Sequence, residues 1–397
     1  MSESKYCVVG LGYVGLPCAV MLANAGCKVL GYDISKEVVD RVTAGAVYAE
    51  PELQALLLSP NALQNLHASV EISGADVFII AVPTPLDHRK KTADLDALVR
   101  AVRSVASVLK KGDLVIVEST VPPLTMRKIV APILEQTGLT VGDDVLLAHC
   151  PERLLPGNII YEIIHNNRVI GGINQMSAER AAEVYRLFVK GEISLTDDVT
   201  AELCKLMENT YRDVNIALAN ELSEVCKDIG VDVDEAINLA NLHPRVNLLK
   251  PGIGVGGHCL PIDPWFIHEV SPYNSTVIEA ARHINDDRPA KIAAEIRRVV
   301  ADDLTQGILL LGKTYKAGTN DTRESPAIRI YELLKRDGYN VMAYDSEVDR
   351  VDSLEELIRQ CSCLFVLVPH PRMMLELDAV VGRLREEDQR VPRFFRF

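Results

Sequence analysis

The feature that most constrains this chain is a glycine pattern near its start. Gly10, Gly12 and Gly15 follow a short apolar run, and a helical pattern begins directly after them. Asp33 closes the next apolar run, 18 residues after Gly15. Such glycines let the backbone approach a pyrophosphate at a helix N-terminus, and the acid accepts hydrogen bonds from ribose hydroxyls. The pattern predicts a dinucleotide site, and Asp33 favours NAD because a carboxylate repels the 2′-phosphate of NADP. The alternative is a structural glycine turn with a surface aspartate.

The charge balance limits the partners that this chain can have. Its 397 residues include 42 lysines and arginines against 55 aspartates and glutamates, a formal net charge of −13. This argues against nucleic acid or an anionic membrane as the main partner, because no basic surplus exists to neutralise phosphates. No apolar run is long enough to cross a membrane, and the polar start is unlike a signal peptide. The nine cysteines lack metal-ligand pairs, so we expect a cytoplasmic protein with reduced thiols and no metal site.

The order of apolar and helical patterns indicates the architecture. Strand-like and helix-like segments alternate at first, which predicts a parallel sheet with helices on both faces. A helical pattern without glycine or proline then runs from Val199 to about Gly230. The last hundred residues return to alternation, and residues 338–345 match residues 26–33 in step. The first predicted strand of this last region, Gly307–Gly312, lacks the glycine pattern, so we predict that this region binds a different ligand.

Two threonine turns follow predicted strands. They are Val82–Pro85, with Thr84, and Ser119–Pro123, with Thr120. Ligands of open α/β sheets bind beyond the carboxyl ends of the strands, so both threonines are candidate cofactor contacts. Their position is equally typical of threonine–proline residues that only form turns.

A cysteine on a glycine-rich loop is the candidate nucleophile. Cys259 and the nearby Asp263 lie in this loop, whereas the other eight cysteines lie in apolar runs. A cation beside the thiol would lower its pKa and make it nucleophilic. The alternative is a small buried thiol.

Three polar residues share one face of the long helical segment. Lys205, Asn209 and Arg212 are spaced i, i+4 and i+7, so they point the same way. Together they could bind a phosphorylated, hydroxylated ligand. The alternative is a solvated face, which the adjacent Glu202 and Glu208 favour.

Seven segments in one order carry a family resemblance. They are Gly10–Gly15, Val82–Pro85, Ser119–Pro123, Cys150–Leu154, Lys205–Asn209, Gly254–Cys259 with Asp263, and Asp321–Ser325. On these segments the chain resembles the UDP-glucose/GDP-mannose dehydrogenase family, from Tyr6 to about Pro371. Three stretches are most similar to the branch that oxidises UDP-N-acetylmannosamine, with the UDP-N-acetylglucosamine 6-dehydrogenases next. These stretches are Arg153–Asn158, His243–Asn247 and His258–Trp265.

The resemblance implies an activity and an architecture. The activity is a four-electron, NAD-dependent oxidation of C6 of UDP-N-acetyl-D-mannosamine to the uronate, through a thiohemiacetal and a thioester on a cysteine. UDP-N-acetylglucosamine and UDP-glucose are alternative substrates, and an inactive nucleotide-sugar-binding module is an alternative of another class. The expected fold is α/β, with two doubly wound Rossmann-like domains joined by a central helical region. We expect residues 1–195 to bind NAD, 196–300 to form the dimerisation helices with the catalytic loop, and 301–397 to bind the UDP-sugar.

The resemblance also assigns roles to individual residues. As catalytic groups it implies Cys259 as nucleophile, Lys205 as proton donor and acceptor, and Asp263 and Glu152 as acids that manage water and protons. With the glycine pattern, it gives as NAD contacts Gly12, Tyr13, Val14, Asp33, Thr84, Thr120 and Arg323. It gives as substrate contacts Arg153, Leu154, Lys205, Asn209, Arg212, His243, Arg245, Gly256, Tyr315 and Lys316. The segment with His243 and Arg245 is expected to come from a second subunit of a homodimer or higher homo-oligomer. Leu124 stands where the family usually has glycine.

Overall fold

The computed structural model describes residues 4–47, 50–153, 157–301, 303–349 and 353–397. The chain forms two compact units. The first comprises Met1–Glu208 with Trp265–Pro272, and the second comprises Asn209–Pro264 with Tyr273–Phe397. No helix within the described ranges is both long and apolar enough to cross a membrane.

An eight-stranded sheet forms the centre of the first unit. Its strands are β1 (Lys5–Val9), β2 (Lys28–Tyr32), β3 (Leu66–Ser69), β4 (Val77–Ile80), β7 (Leu114–Val117), β8 (Leu146–His149), β9 (Arg168–Gly172) and β10 (Ile193–Asp197), in the order β10-β9-β8-β7-β4-β1-β2-β3. Two short strands, β5 (Leu86–Asp87) and β6 (Thr92–Ala93), form a separate antiparallel hairpin.

Helices cover both faces of this sheet. They are α1 (Gly15–Asn24), α2 (Lys36–Thr43), α3 (Pro51–Leu57), α4 (Pro60–Asn65), α5 (Asp96–Ala106), α6 (Ala131–Glu135), α7 (Ile159–His165) and α8 (Gln175–Tyr185), with a π-helical turn at Met126–Val130. Alternate residues of β1 enter different cores: Tyr6 and Val8 pack with α1 and α8, and Cys7 and Val9 pack with α5 and α6. A strand buried on both faces is typical of a parallel sheet between helical layers.

One edge of the sheet departs from the predicted parallel arrangement. Strands β1, β2, β3, β4, β7 and β8 are parallel, but β9 runs antiparallel to β8, with Ala148 opposite Gly172 and His149 opposite Gly171. The apolar pattern predicts that a strand exists and does not encode its direction. The same register, continued past the end of β8, sets Glu152 opposite Arg168.

The second unit contains the long helices of the middle of the chain. The helices in and around it are α9 (Asp198–Ile229), within which the two units divide, α10 (Val233–Ala240), α11 (Asp263–Val270) and α12 (Thr276–Val299), with a 3-10 turn at Pro272–Asn274. Helix α9 has 32 residues and contains neither glycine nor proline, which agrees with the predicted long helix.

A four-stranded parallel sheet follows in the same unit. Its elements are β11 (Ile308–Leu311), α13 (Pro326–Arg336), β12 (Val341–Tyr344), α14 (Leu354–Gln360), β13 (Cys363–Val366), α15 (Pro371–Glu386) and β14 (Arg393–Arg396), with the strand order β12-β11-β13-β14. One core joins the sheet to α12 and α13, and another joins it to α14 and α15. The predicted α/β fold of two doubly wound sheets with a helical region between them in the chain is confirmed.

The C-terminal residues, for which the sequence predicted no element, complete this second sheet. Strand β14 pairs in parallel with β13. The rings of Phe395 and Phe397 stack near that of Phe365, with centroids 5.0 and 5.9 Å away. The last strand is therefore held by backbone hydrogen bonds and by aromatic contacts.

Candidate active site

The glycine turn after β1 lies where the strand order of the first sheet reverses. Strand β2 lies on one side of β1 and β4 on the other, which opens a crevice at their carboxyl ends. Gly10 has a φ of 92°, and a Cβ on Gly15 would lie 1.9 Å from the carbonyl oxygen of Gly10, so both positions require glycine. A Cβ on Gly12 would meet no atom within 4 Å, so the space in front of this turn is open.

The start of helix α1 suits an anion. Among the described residues no side chain caps the helix at Val14, and its first turn contains no acidic residue. The first N–H groups of a helix lack partners within the helix and attract negative charge. Gly12 and Tyr13 are both exposed in front of this helix end. Together with the open glycine turn, these residues fit the pyrophosphate of a dinucleotide.

Asp33 connects the end of β2 to the glycine turn. One carboxylate oxygen accepts a hydrogen bond from the Leu11 N–H at 2.9 Å, and the other accepts one from the Ser35 N–H at 2.8 Å. A carboxylate has about four acceptor positions, so both oxygens can still accept bonds from ribose hydroxyls. The carboxylate therefore fits the ribose and also holds the turn.

Replacing Asp33 tests this cofactor site. We expect Asp33→Ala to raise the KM for NAD⁺ by about tenfold or more and to improve the relative use of NADP⁺, because ribose hydrogen bonds and the repulsive charge are both lost. Asp33→Asn keeps an oxygen that can accept from the Leu11 N–H but loses the charge. Comparing it with Asp33→Ala therefore separates the effect of the charge from the effect of the turn. The control is Asp40→Ala, which removes an exposed partner of Lys36. Unchanged Michaelis constants for both cofactors would remove Asp33 from the site.

The two threonine turns are bonded to each other. The Ser119 hydroxyl accepts from the Val82 N–H at 2.9 Å and donates to the Val82 carbonyl at 2.7 Å. The Thr84 hydroxyl donates to the carbonyl of Thr120 at 2.6 Å. Thr84 therefore stabilises the turns, which is one of the two roles that the sequence allowed. Contact of Thr84 or Thr120 with NAD stays a prediction.

Leu124 adopts the left-handed conformation that usually requires glycine. Its φ is 75°. The carboxylate of Glu202 accepts hydrogen bonds from the N–H groups of Leu124 and Met126 at 2.6 and 2.8 Å. Glu202 is only 1% exposed, so the alternative of a solvated helix face does not apply at this residue. Burial raises the pKa of Glu202 to about 7. The two bonds to a buried carboxylate offset the strain of a branched residue in this conformation.

Glu152 lies beside a buried arginine that the sequence did not single out. Nη1 of Arg168 lies 3.7 Å from the Glu152 carboxylate and 3.8 Å from that of Glu118. The hydroxyl of Tyr185 donates to Glu118 at 2.7 Å. Burial raises the pKa of Glu118 to about 7, although the charge of Arg168 opposes the shift. One guanidinium therefore sits between two carboxylates and fixes the surroundings of Glu152. The sequence signal that could have identified Arg168 is its position as the first residue of an otherwise apolar strand.

Arg153, which directly follows Glu152, contacts α9. The guanidinium of Arg153 forms an ion pair with Glu208 and donates to the carbonyl of Asn167 at 3.2 Å. Leu154 lies outside the described residues. Lys205 is half-buried on α9, one turn before Glu208. The substrate contacts predicted for Arg153 and Lys205 stay predictions.

Cys259 is half-exposed at the end of the glycine-rich loop. Its carbonyl accepts hydrogen bonds from the N–H groups of Ile262 and Asp263 at 3.0 and 2.9 Å, so the turn into α11 begins on the cysteine. Asp263 is 3% exposed, and its carboxylate accepts from the amide of Asn209 at 2.6 Å. The structure therefore brings Cys259, Asp263 and Asn209 together. Partial exposure does not distinguish this thiol, because Cys226 is also half-exposed.

The glycine loop packs against the segment that follows β11. A Cβ on Gly256 would lie 2.6 Å from the carbonyl oxygen of Glu324 and 2.8 Å from the Cβ of Tyr315, so only glycine allows this approach. Burial raises the pKa of Tyr315, and the negative charges of Asp321 and Cys259 add to the shift. Tyr315 and Cys259 are thus close enough to interact electrostatically.

Charged residues surround this contact. Two nitrogens of Arg323 bond the Asp321 carboxylate, at 2.9 Å from Nε and 2.6 Å from Nη2. The ammonium of Lys316 lies 5.7 Å from the ring centroid of Tyr315. Arg212 is exposed and also acts electrostatically on Tyr315. The second unit therefore gathers three cations around Tyr315, of which Arg323 also interacts electrostatically with Cys259. Their predicted ligand contacts stay predictions.

The second sheet uses the aspartate that corresponds to Asp33 differently. Asp345 follows β12 directly, as Asp33 follows β2, and it accepts from the Lys313 N–H at 2.6 Å. It is fully buried, and Nε2 of His370 lies 3.1 Å from its carboxylate. A carboxylate closed off in this way has no room for a ribose, which agrees with the prediction that this unit has another ligand.

His243 and Arg245 lie on the surface of the second unit. Both side chains are exposed, and Nδ1 of His243 accepts from the Arg245 N–H at 3.3 Å. This short turn gives the segment a defined shape. Exposure leaves both side chains available to another molecule, and their predicted role in a second subunit's site stays a prediction.

An open glycine turn with a ribose acid, and a separate loop carrying a thiol, define an NAD-dependent oxidoreductase with a second ligand-binding unit. Three family models match the chain. They describe the UDP-glucose/GDP-mannose dehydrogenase family's NAD binding domain at residues 4–189, its central domain at 199–287 and its UDP binding domain at 309–386.

Individual relatives match over most of the chain. A UDP-N-acetyl-D-mannosamine dehydrogenase of Campylobacter jejuni is 44% identical, covering 96% of this chain and 98% of the relative. The structure of a UDP-D-ManNAc dehydrogenase from Pyrococcus horikoshii has a TM-score of 0.91 at 42% identity, covering 99% of this chain and 94% of that one. An NDP-N-acetyl-D-galactosaminuronic acid dehydrogenase of Ralstonia nicotianae is also 44% identical, covering 82% of this chain and 79% of the relative.

The chain belongs to the UDP-glucose/GDP-mannose dehydrogenase family. It is an NAD-dependent nucleotide-sugar dehydrogenase, and the predicted family and the predicted cofactor are both confirmed.

Proposed function

We propose that this enzyme oxidises C6 of UDP-N-acetyl-D-mannosamine to UDP-N-acetyl-D-mannosaminuronate. The observation that carries the choice of sugar is the near full-length match to relatives named for it, at 42% and 44% identity. The three stretches Arg153–Asn158, His243–Asn247 and His258–Trp265 support the same branch. The Ralstonia relative, at the same 44% identity, is named for another sugar, so identity alone does not select the substrate.

We propose that the oxidation proceeds in two hydride transfers. NAD⁺, which the glycine turn and Asp33 would hold, would supply the hydride acceptor for C6 in both transfers. Lys205 takes the proton of the C6 hydroxyl in the first step and its ammonium then stabilises the oxygen of the intermediate. Asn209 lies one turn further along α9 and holds Asp263. The aldehyde formed has lost two electrons and one C–H bond, and it must be captured before it leaves.

Cys259 is the proposed capturing group. Its thiolate adds to the aldehyde carbon and forms a thiohemiacetal, with the oxygen taking up a proton. The second hydride transfer, with loss of that proton, leaves a thioester. Water then cleaves the carbon–sulfur bond, so the carboxylate leaves and the thiolate is restored. We propose that Asp263 and Glu152 accept the protons that this water releases. Asp263 follows Cys259 by one turn.

We also propose that the enzyme acts as a homodimer or higher homo-oligomer. Tyr211, Leu218, Val225 and Ile229 are all exposed along one side of α9. Apolar residues at this spacing form a stripe on a helix, and such stripes normally bury against a partner. We propose a second copy of the chain as that partner, because the exposed His243 and Arg245 follow the helical segment in the chain.

We assign the reaction to the cytoplasm. None of the nine cysteines, all of which lie in the described ranges, forms a disulfide. The proposed mechanism requires a thiolate in each cycle, and an oxidising compartment would convert that thiolate to a disulfide or a higher oxidation state. Reduced thiols therefore support a reducing compartment for this chemistry.

A substrate panel tests the proposed function. UDP-N-acetylmannosamine, UDP-N-acetylglucosamine, UDP-N-acetylgalactosamine and UDP-glucose are each incubated with the enzyme and NAD⁺, and NADH and uronate are measured. We expect the highest kcat/KM with UDP-N-acetylmannosamine, and two NADH for each uronate. A higher kcat/KM with another sugar would show that the proposed substrate is wrong. One NADH for each product would contradict the four-electron reaction.

A further inference from the structure

The segment that leads to the catalytic loop has no regular secondary structure, yet side chains bond several of its backbone groups. Residues 247–252 lie in neither a helix nor a strand. Backbone N–H and C=O groups away from water require partners. Three asparagine side chains supply them here, namely Asn215, Asn220 and Asn241. We call these three residues the asparagine clamp.

Two members of the clamp each bond the segment twice. Oδ1 of Asn215 accepts from the Leu249 N–H at 3.0 Å, and its Nδ2 donates to the Asn247 carbonyl at 2.7 Å. Asn241 accepts from the Leu248 N–H at 2.8 Å and donates to the Leu248 carbonyl at 2.9 Å. Each side-chain amide offers an acceptor oxygen and a donor nitrogen, and so can bond a backbone as a neighbouring strand would. The segment therefore has a fixed path without belonging to a sheet.

Gly252 is held on both sides. Its N–H donates to Oδ1 of Asn220 at 2.9 Å, and its carbonyl accepts from Nε of Arg288 at 2.8 Å. Arg288 is only 5% exposed, and it also donates to Ser223 at 3.0 Å and to Glu224. A buried guanidinium must keep its partners, because losing one leaves a desolvated charge unpaired. This makes the anchor at Gly252 rigid.

A buried chain of polar side chains supports the anchor. Nδ2 of Asn220 donates to Oδ1 of Asn285 at 3.0 Å, and Nδ2 of Asn285 donates to the Asp213 carboxylate at 2.9 Å. Asparagine is a poor helix former because its side chain competes for backbone hydrogen bonds. Asn215 and Asn220 nevertheless lie inside α9, so their place there is explained by the bonds that they make outside the helix.

The backbone of the loop beyond Gly252 is intrinsically flexible. Gly254, Gly256 and Gly257 lie between this anchor and Cys259, and glycine restricts the backbone least of all residues. Past Gly252, the buried side chain of Ile253 packs in the core, and the Gly257 N–H donates to the Arg323 carbonyl at 3.2 Å. The direction in which the loop leaves its anchor thus depends on how Gly252 is held.

We propose that the asparagine clamp and Arg288 are positioning residues that deliver Cys259 to the aldehyde. The proposal rests on the covalent role of Cys259 in the proposed function. On α9, Asn209 holds Asp263, just after the cysteine, while Asn215 and Asn220 hold the segment before it. One rigid helix therefore sets both ends of the chain that carries the thiol. A displacement of about 1 Å in a reacting group can cost about 100-fold in rate.

Two variants and a matched control test the proposal. Arg288→Ala removes the buried anchor, and Asn215→Ala removes a half-buried clamp residue with less risk to folding. Arg297→Ala is the control, because it lies on the same helix and its ion pair is with Asp337. Hydrogen exchange of peptides covering residues 247–259, and the rate at which iodoacetamide alkylates Cys259, report the loop without any turnover.

The expected results separate positioning from stability. In Arg288→Ala and Asn215→Ala, exchange in the loop and alkylation of Cys259 should rise severalfold over the control. The kcat should fall about tenfold or more, the KM for NAD⁺ should stay within about twofold, and aldehyde trapped with a hydrazine should appear, because a misplaced thiol captures it slowly. Loss of stability alone would lower the active fraction and release no aldehyde.

Two results would overturn the proposal. Exchange and alkylation equal to the control would show that these residues do not hold the loop. A looser loop with unchanged kcat and no released aldehyde would show that the hold does not matter for the reaction. If the wild-type chain oxidises none of the sugars, the proposed function fails separately, and unchanged alkylation of Cys259 in both variants would still overturn the positioning role.

Discussion

Cys259→Ser is expected to abolish formation of the uronate. A serine hydroxyl is scarcely ionised at neutral pH, so it captures the aldehyde far more slowly than a thiolate. It would also form an ester in place of the thioester. We expect the rate of uronate formation to fall on the order of a thousandfold or more, as for other enzymes that lose their nucleophile. The uronate and any released aldehyde are measured by chromatography after incubation with substrate and NAD⁺.

The first hydride transfer should survive this substitution better than the second. It requires Lys205 and NAD⁺ and does not require the thiol, so some aldehyde and an equal amount of NADH are expected. Cys226→Ser is the matched control, since Cys226 is another half-exposed cysteine of the same unit, and it should retain activity near that of the wild type. Uronate formation by Cys259→Ser at a rate near wild type would exclude covalent catalysis by this residue.

Local sequence patterns predicted the architecture because its determinants are local. The glycine turn, the acid that follows β2 and the match between residues 26–33 and 338–345 each depend on a few adjacent positions. Asp33 and Asp345 both accept a backbone N–H from the loop that follows the first strand of their sheet. Only the fold shows that Asp345 is closed off by His370, because the two residues are distant in the chain.

The parts of the site that were missed depend on contacts between distant residues. Arg168 looks like an ordinary strand residue until β9 pairs antiparallel to β8 and sets it beside Glu152. Likewise, Asn215 and Asn220 bond backbone groups 32 or more residues away. Periodicity does not record such bonds. The sequence signal that could have identified them is the presence of asparagines inside a long helix, because asparagine is a weak helix former.

Arg245→Ala is expected to raise the KM for the UDP-sugar strongly and to leave NAD⁺ binding nearly intact. The substrate carries a diphosphate, and a chain with a net charge of −13 must gather cations locally to bind it. Arg245 is exposed and belongs to the second unit, whereas the glycine turn and Asp33 belong to the first. An increase of about tenfold or more is expected for the loss of a charged hydrogen bond to phosphate. Arg336→Ala, at an exposed arginine beside Asp337, is the control.

A mixed dimer decides whether Arg245 acts in its own subunit or in its neighbour's. Co-expressed Arg245→Ala and Cys259→Ala chains, carrying different tags, give a dimer in which one site combines the intact cysteine of one chain with the intact arginine of the other. If Arg245 crosses the interface, random mixing restores about one quarter of the wild-type sites, because half of the dimers are mixed and each has one complete site. If Arg245 serves its own chain, every site lacks one of the two residues. Purified mixed dimers with no activity beyond that of the two parent variants would therefore place Arg245 in its own subunit's site or in none.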